Sequence, residues 1–330
     1  VDGVGDSETE DDEAIDPVLR EILSDMAAGE YADALTVADD LEERLHGEEP
    51  VQVSAIEQAL QTALRYDAGG RSDVGRVRPL NEDSIALLDF MVVRDSAYET
   101  AGLYIVADGV GGHDSGEVAS RIAVGTMSHF IADRLLQPEL DSTAGTPDEQ
   151  TFTALVAEAI HAANKAVVSA GPEHQASNMG TTVTTALVIG SFAYVANVGD
   201  SRTYLFRDGK LSPITTDHSV VARLVAIGMI EPEDVYTHPQ RNYVYRALGN
   251  LEDFQVDTFF QPLLPDDRLV LCSDGLWEMV HDPEITTILA ETESSQEACN
   301  KLVEQANANG GEDNISIVIV RGKEYGESGN

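Results

Sequence analysis

The feature that most constrains the fold of this chain is a set of short apolar runs that follow one another across very short turns. Residues 181–189 and 192–198 are separated only by Gly190-Ser191. Residues 202–207 end at a second such turn, Asp208-Gly209. Two-residue turns join antiparallel strands, whereas parallel strands need long crossover connections. The sequence therefore predicts a layered α+β architecture rather than a doubly wound parallel sheet.

Apolar periodicity locates the remaining elements of this region. Runs with strand character predict strands at residues 84–93, 102–107, 181–189, 192–198, 202–207, 268–273 and 315–321. Apolar residues at helical spacing predict helices at residues 115–136, 150–170, 219–228, 283–291 and 295–308. Strands and helices arrive in blocks, which again favours the α+β class.

The first part of the chain has a different character. Its opening residues are nearly all acidic, glycine or small, which is typical of a disordered lead-in. Three apolar stripes at helical spacing follow, with Asp16-Pro17 at one helix start and a capping box from Ser54 to Glu57 at another. The sequence "DAGG" then breaks the pattern. We therefore predict a lead-in, a small helical module, a main domain and a tail, at residues 1–14, 15–66, 70–321 and 322–330.

The charge balance limits the partners of the chain. It holds 59 Asp and Glu against 20 Lys and Arg, a formal net charge of −39, which would repel nucleic acid and anionic membranes. The acid is spread along the whole chain and resembles the pattern of proteins from salt-loving archaea, where high salt screens self-repulsion. The two cysteines, Cys272 and Cys299, lack metal-ligand spacing and predict buried free thiols in a reducing compartment, the cytoplasm.

Acidic residues mark the ends of five predicted strands. Asp108, Asp200 and Asp274 each follow an apolar run, whereas Asn81-Glu82-Asp83 and Asp313-Asn314 each precede one. Any one of them reads more simply as a turn residue. If the strands share a sheet, however, their ends converge, and hard divalent cations such as Mg²⁺ or Mn²⁺ would relieve the repulsion between the carboxylates. The sequence therefore predicts a metal site at this edge.

The order of six motifs then resembles the metal-dependent serine/threonine protein phosphatases of type 2C. The motifs are "VRPLNEDS" (77–84), "VADGVGGHDSGEVAS" (106–120), "GTTVTTALV" (180–188), "VGDSRTYLFRDGKL" (198–211), "CSDGLWE" (272–278) and "GEDNISIVIV" (311–320). The resemblance covers residues 70–321 and is nearest to the bacterial and archaeal branch. It implies a central sandwich of two mainly antiparallel sheets flanked by helices, in α-β-β-α layers, with the N-terminal helices as an extension.

The resemblance also implies a ligand set for two Mn²⁺ or Mg²⁺ ions, which activate the water that attacks the phosphorus of phosphoserine or phosphothreonine in proteins. Asp108 would bridge both ions. The Gly109 carbonyl would bind one ion, and Asp274 and Asp313 would bind the other. Glu82 and Asp83 would hold water molecules on the ions, and Asp200 matches the position of a third, looser metal in several relatives.

Arg78 matches the residue with which the family clamps phosphate, and a guanidinium fork suits phosphate oxygens. One position departs from the pattern, because many eukaryotic members have a histidine, a proposed general acid, where this chain has Val110. His113 follows three residues later, and either a substrate-side or a structural role for it stays open. A water molecule on one of the metals could donate the proton instead.

Three classes of function are compatible with the sequence. The first is an active phosphoprotein phosphatase, and the second is a pseudophosphatase that binds phosphoproteins without turnover. The third is another two-metal phosphohydrolase, although the net charge disfavours a nucleic-acid substrate. "DHSVVARLVAIGMI" (217–230) matches the mobile flap of the family, and its apolar residues would equally suit a core. We expect the N-terminal helices to form a regulatory or docking element that binds a protein partner. The sequence predicts no oligomeric state.

Overall fold

Two five-stranded antiparallel sheets stacked face to face form the centre of the molecule. The computed structural model describes residues 64–94, 97–110, 115–135, 149–171, 179–249 and 255–324. One sheet has the strand order β1-β12-β11-β8-β9 and the other the order β10-β7-β6-β3-β2. The predicted α+β sandwich is confirmed, including its antiparallel pairing.

The strands are β1 (Leu64–Asp73), β2 (Ser84–Arg94), β3 (Ala97–Ala107), β4 (Gly109–Val110), β5 (Gly180–Thr181), β6 (Val183–Ile189), β7 (Phe192–Val198), β8 (Arg202–Arg207), β9 (Lys210–Pro213), β10 (Asp257–Pro262), β11 (Arg268–Cys272) and β12 (Ile315–Glu324). The helices are α1 (Gly116–Leu135), α2 (Glu149–Ala170), α3 (Val220–Ala226), α4 (Asp274–Trp277), α5 (Asp282–Glu291) and α6 (Ser295–Ala308), with a 3₁₀ turn at Pro232–Tyr236. Within the part of the chain that the structure describes, no helix has the length and apolar character needed to cross a membrane.

Three apolar layers hold the sandwich together. Helices α1 and α2 pack on the sheet that contains β3, helices α5 and α6 pack on the other sheet, and a third layer fills the space between the sheets. Alternation along β3 explains why residues 101–107 are continuously apolar: Leu103 and Ile105 face the helices, whereas Tyr104 and Val106 face the opposite sheet.

The start of the main domain differs from the sequence prediction. Residues Leu64 to Tyr66, predicted as the end of a helix, lie in β1, and the "DAGG" sequence predicted as a break continues that strand alongside β12. A Cβ on Gly69 would overlap the backbone nitrogen of Gln296, and one on Gly70 would lie 2.8 Å from Leu87 Cδ1. These glycines therefore permit close packing on both faces of an edge strand. The rest of the predicted helical module and the lead-in lie outside the described residues.

Other elements of the main domain also differ from the sequence prediction. Strand β12 continues to Glu324, so the predicted tail begins inside a strand. Strands β9 and β10 carry no prediction from the sequence, because they are short, mixed in composition and only partly buried. The predicted helix at 219–228 is present as the shorter α3, and Val221 in it is buried in the core.

Candidate active site

The acidic strand ends that the sequence singles out meet at one edge of the sandwich. Asp108 follows β3 in one sheet, whereas Asp274 and Asp313 flank the neighbouring strands β11 and β12 of the other. Burial and the charges of Asp274, Asp83 and Asp200 raise the pKa of Asp108 well above its usual range. Carboxylates that perturb one another this strongly are close in space.

Asp108 and Asp274 form the centre of the cluster. Each carboxyl group lies within reach of the other, and this contact acts to raise the pKa of Asp108 and to lower that of Asp274, so the two groups titrate as a pair. Burial and the charge of Asp313 raise the pKa of Asp274 to about 6, although hydrogen bonds from Asp108 and the Gly275 N–H act in the opposite direction. Two half-buried acids therefore perturb each other's ionisation where the two sheets meet.

Asp83 and Asp200 line the cluster with further buried oxygens. Asp83 Oδ2 accepts a hydrogen bond from Ser273 Oγ at 2.8 Å, and burial raises the pKa of Asp83 to about 7. Burial and the charge of Asp274 raise the pKa of Asp200 well above its usual range. The Asp200 carbonyl accepts a hydrogen bond from Trp277 Nε1 at 3.0 Å, which ties this loop to α4.

Gly109 lies in a space that admits no side chain. A Cβ at this position would come within 2.6 Å of the Glu82 carbonyl and would overlap the Gly116 carbonyl. A Cβ on Gly116 would in turn lie 2.9 Å from both the Gly109 carbonyl and Glu82 Oε1. The Gly109 carbonyl and the Glu82 carboxylate are therefore neighbours at the start of α1. Burial and the charges of Glu117 and Asp313 raise the pKa of Glu82, although Arg78 opposes them.

Arg78 lies at the exposed rim of the site. Its Nη2 is 2.5 Å from Asp313 Oδ2, and its side chain keeps 46% of its accessible surface. Partial burial acts to lower the pKa of Arg78, but the charges of Asp313, Asp274 and Glu82 raise it overall. The structure thus holds a permanent cation directly beside the acidic cluster.

The donor set fits a site for hard divalent cations. Buried oxygens Asp83 Oδ1 and Asp274 Oδ1 have no hydrogen-bond partner, and an unsatisfied buried carboxylate oxygen is costly unless a cation or a proton meets it. Across the described ranges, no three His, Cys, Asp or Glu side chains are already arranged as a complete ligand set. Asp83 instead accepts a hydrogen bond from Ser273, and Asp108 and Asp274 contact each other.

Asn314 and Arg241 also connect the elements of the site, and the sequence prediction assigned them no role. Asn314 Oδ1 accepts from the Glu82 N–H at 2.7 Å, and its amide nitrogen donates to the carbonyls of Val74 and Leu80. Arg241 lies 3.4 Å from both Glu278 and Glu312. The sequence held one signal for each residue: Asn314 directly follows Asp313, and Glu278, a partner of Arg241, is the last residue of "CSDGLWE". The contacts themselves join residues that are distant in sequence, so no local pattern predicts them.

Val110 stands where many eukaryotic members of the family have a histidine, and His113 follows it three residues later. Val110 is half-buried and pairs with Gly180 between β4 and β5, so it presents no titratable group. His113, which the sequence suggested as a substrate-side residue, lies outside the described residues. Within the described part of the chain, the predicted residues Asp108, Gly109, Asp274, Asp313, Glu82, Asp83, Asp200 and Arg78 all lie at this edge of the sandwich or in the loops that form it.

The features of the site indicate a class of protein. Buried carboxylates at the edge of an α+β sandwich, with an arginine at the rim, are typical of a metal-dependent phosphohydrolase. The family profile described as Protein phosphatase 2C matches residues 79–309. The chain therefore belongs to the protein phosphatase 2C family, and the resemblance seen in the motifs is confirmed.

Curated relatives and solved structures agree with this family. The serine/threonine phosphatase stp of Listeria welshimeri is 38% identical over 251 residues, which cover 76% of this chain and 93% of that protein. The crystal structure of the Mycobacterium tuberculosis serine/threonine phosphatase PstP/Ppp shares 34% identity at a TM-score of 0.64, covering 80% of this chain and 100% of that one. The catalytic domain of PstP solved in complex with two manganese ions shares 33% identity, with a TM-score of 0.64 over 79% of this chain and 99% of that one.

Proposed function

We propose that this chain hydrolyses phosphoserine and phosphothreonine monoesters in proteins, with two Mn²⁺ or Mg²⁺ ions as cofactors. The observation that carries the proposal is the half-buried Asp108–Asp274 pair at the edge of the sandwich, with the Arg78 guanidinium at the rim beside it. The relatives named serine/threonine phosphatases and the PstP domain with two manganese ions support the substrate class and the metal.

Asp108, the Gly109 carbonyl, Asp274 and Asp313 are the groups that would hold the two ions. Glu82 and Asp83 would act on them through water, and Asp200 would serve a third ion. When bound, the ions would supply positive charge that activates a water molecule for attack on phosphorus and stabilises the charge that develops there. The retention of all these carboxylates favours an active phosphatase over a pseudophosphatase.

The chain's own side chains would position the phosphate of the substrate. Arg78 would bind two phosphate oxygens through its planar fork, which has donors to spare beyond the one that meets Asp313. Asp313 would hold the guanidinium in place before the substrate arrives. The pKa values of Asp108 and Asp274 are raised, and both side chains have to be deprotonated to act as anionic ligands, so cation binding should release protons.

Two finer parts of the proposal rest on composition, and a third rests on the helices predicted before β1. Buried free Cys272 and Cys299 support a reducing compartment, and we propose the cytoplasm and a role in phosphorylation signalling. The net charge of −39 supports a protein adapted to high salt. The segment before β1 would recruit a protein partner or regulate the phosphatase domain.

Hydrolysis of a phosphothreonine peptide in concentrated KCl tests the function. Phosphate release should require Mn²⁺ or Mg²⁺, stop with EDTA and resume when metal is restored. The Asp274→Asn variant should lose the activity. Release of phosphate that persists in EDTA, or in the Asp274→Asn variant, would contradict the two-metal proposal.

A further inference from the structure

Arg76 is an exposed cation in a strongly acidic protein, and it lies two residues before the phosphate-binding candidate Arg78. Among the described residues, no carboxylate lies within ion-pair distance of Arg76, whereas Arg78 contacts Asp313. The chain has only 20 basic residues against 59 acidic ones, so a carboxylate partner for an arginine is easily available. An arginine left unpaired at the rim of the site is therefore available to a ligand.

The loop that carries Arg76 is fitted closely to the loop that carries Asp313. Gly75 has a φ of +81°, and a Cβ there would overlap the Asp313 carbonyl. The Arg76 N–H donates to the Gly311 carbonyl at 2.7 Å, and a Cβ on Gly311 would lie 2.9 Å from Arg76 Cγ. The backbone and the stem of Arg76 are thus held against the same loop that holds Arg78 through Asp313, and the guanidinium is left to solvent.

We propose that Arg76 is a specificity-determining residue that binds a second anionic group of the substrate, two residues from the phosphorylated serine or threonine. This inference rests on the proposed function and names its substrate class. Arg76 and Arg78 are two residues apart on one exposed loop, and alternate residues of an extended substrate peptide are about 7 Å apart. A peptide whose phosphate contacts Arg78 would therefore bring an anionic side chain two residues away toward Arg76. The anion would be either a glutamate or aspartate carboxylate or a second phosphate, because a guanidinium fork accepts both.

Electrostatics explains why such a residue would matter in this protein. A net charge of −39 repels every acidic peptide from the surface as a whole. A single cation beside the bound phosphate would reverse that repulsion locally, where the two charges meet at contact distance. Without Arg76 the chain should therefore discriminate against acidic substrates, and with it the chain should prefer them.

The test compares phosphothreonine peptides that differ only two residues before or after the phosphothreonine. The residue at that position is glutamine, glutamate or phosphoserine. Glutamine is the neutral reference, and comparison of the other two peptides shows whether a carboxylate or a second phosphate is preferred. Values of kcat/KM are measured with Mn²⁺ at the lowest salt at which the protein stays folded. For the wild type we expect the better glutamate or phosphoserine peptide to exceed the glutamine peptide about five- to ten-fold.

Variants assign that preference to Arg76. In Arg76→Gln the ratio of the acidic to the neutral peptide should fall to about one or below, and Arg76→Lys should keep part of it. Lys165→Gln, which removes the same charge from an exposed position on α2, should keep the wild-type ratio. A ratio that is the same in wild type and Arg76→Gln, or a wild type that prefers the neutral peptide, would overturn the inference alone. Failure of the wild type to hydrolyse any of these peptides would overturn the proposed function as well.

Discussion

Arg78 Nη2 lies 2.5 Å from Asp313 Oδ2, so the candidate phosphate-binding cation is held by a candidate metal ligand. The two residues are 235 positions apart in the chain, and the loops before β2 and β12 bring them together. This pairing fixes the guanidinium before the substrate arrives, which lowers the entropy cost of binding phosphate. It also means that a change at either residue affects both functions.

Replacement of Arg78 by alanine should raise KM for a phosphopeptide strongly and lower kcat less, with kcat/KM reduced about 10- to 100-fold. The reason is the loss of a bidentate, charge-assisted contact to the phosphate, which lysine restores only in part. Steady-state kinetics on Arg78→Ala and Arg78→Lys measures this. The control is Arg71→Ala, which breaks an ion pair to Glu304 at 3.3 Å and should leave KM unchanged. An unchanged KM in Arg78→Ala would contradict the assignment.

Replacement of Asp274 by asparagine should separate stability from activity. The substitution removes one charge from the Asp108–Asp274–Asp313 cluster, so the metal-free protein should become more stable by about 1–2 kcal/mol. Phosphatase activity should fall by at least about 10³-fold, because an anionic ligand is lost. Thermal unfolding in EDTA and calorimetric titration with Mn²⁺ measure the two effects. A less stable metal-free Asp274→Asn protein would show that repulsion does not dominate the cluster.

The stability of the metal-free protein should fall as pH rises from about 4 to 7. Burial and neighbouring charge raise the pKa of Asp83 to about 7 and of Asp274 to about 6, above the unfolded value of 3.8. The folded state therefore holds these protons more tightly, and their stabilising contribution is present at low pH and lost as each group ionises. Unfolding by denaturant in EDTA at pH 5.0 and 7.5 measures the difference. Saturating Mn²⁺ should reverse the trend, because cations replace the protons.

Gly69 and Gly125 offer a matched pair for testing the packing of β1. A Cβ on Gly69 would overlap the backbone of α6, so Gly69→Ala should destabilise the domain by about 1–3 kcal/mol. A Cβ on Gly125 of α1 meets nothing within 4 Å, so Gly125→Ala should stabilise it by about 0.5–1 kcal/mol. Denaturant unfolding of both variants measures these changes. Equal effects of the two substitutions would contradict the close approach of α6 to β1.

The predicted helices at 115–136, 150–170 and 295–308 agree with α1, α2 and α6 within one residue at each end. Their apolar stripes are long, and each periodic signal lies within a single stretch of sequence. The apolar strands could also be predicted from the sequence, because burial on both faces produces continuous hydrophobic runs. Strand β1 was missed because its polar residues and glycines become strand-like only when β12 and α6 lie against them.

The amino-acid sequence by itself determined the α+β class, the family and the set of acidic residues that mark the strand ends. Each of these depends on local periodicity or on short motifs whose residues are adjacent in the chain. Only the tertiary structure decided how those residues interact: that Asp274 raises the cost of ionising Asp108, that Arg78 is held by Asp313, and that Arg76 has no carboxylate partner among the described residues. These contacts depend on loops from opposite ends of the domain meeting at one edge, and on burial that perturbs a carboxyl group only after the sheets have stacked.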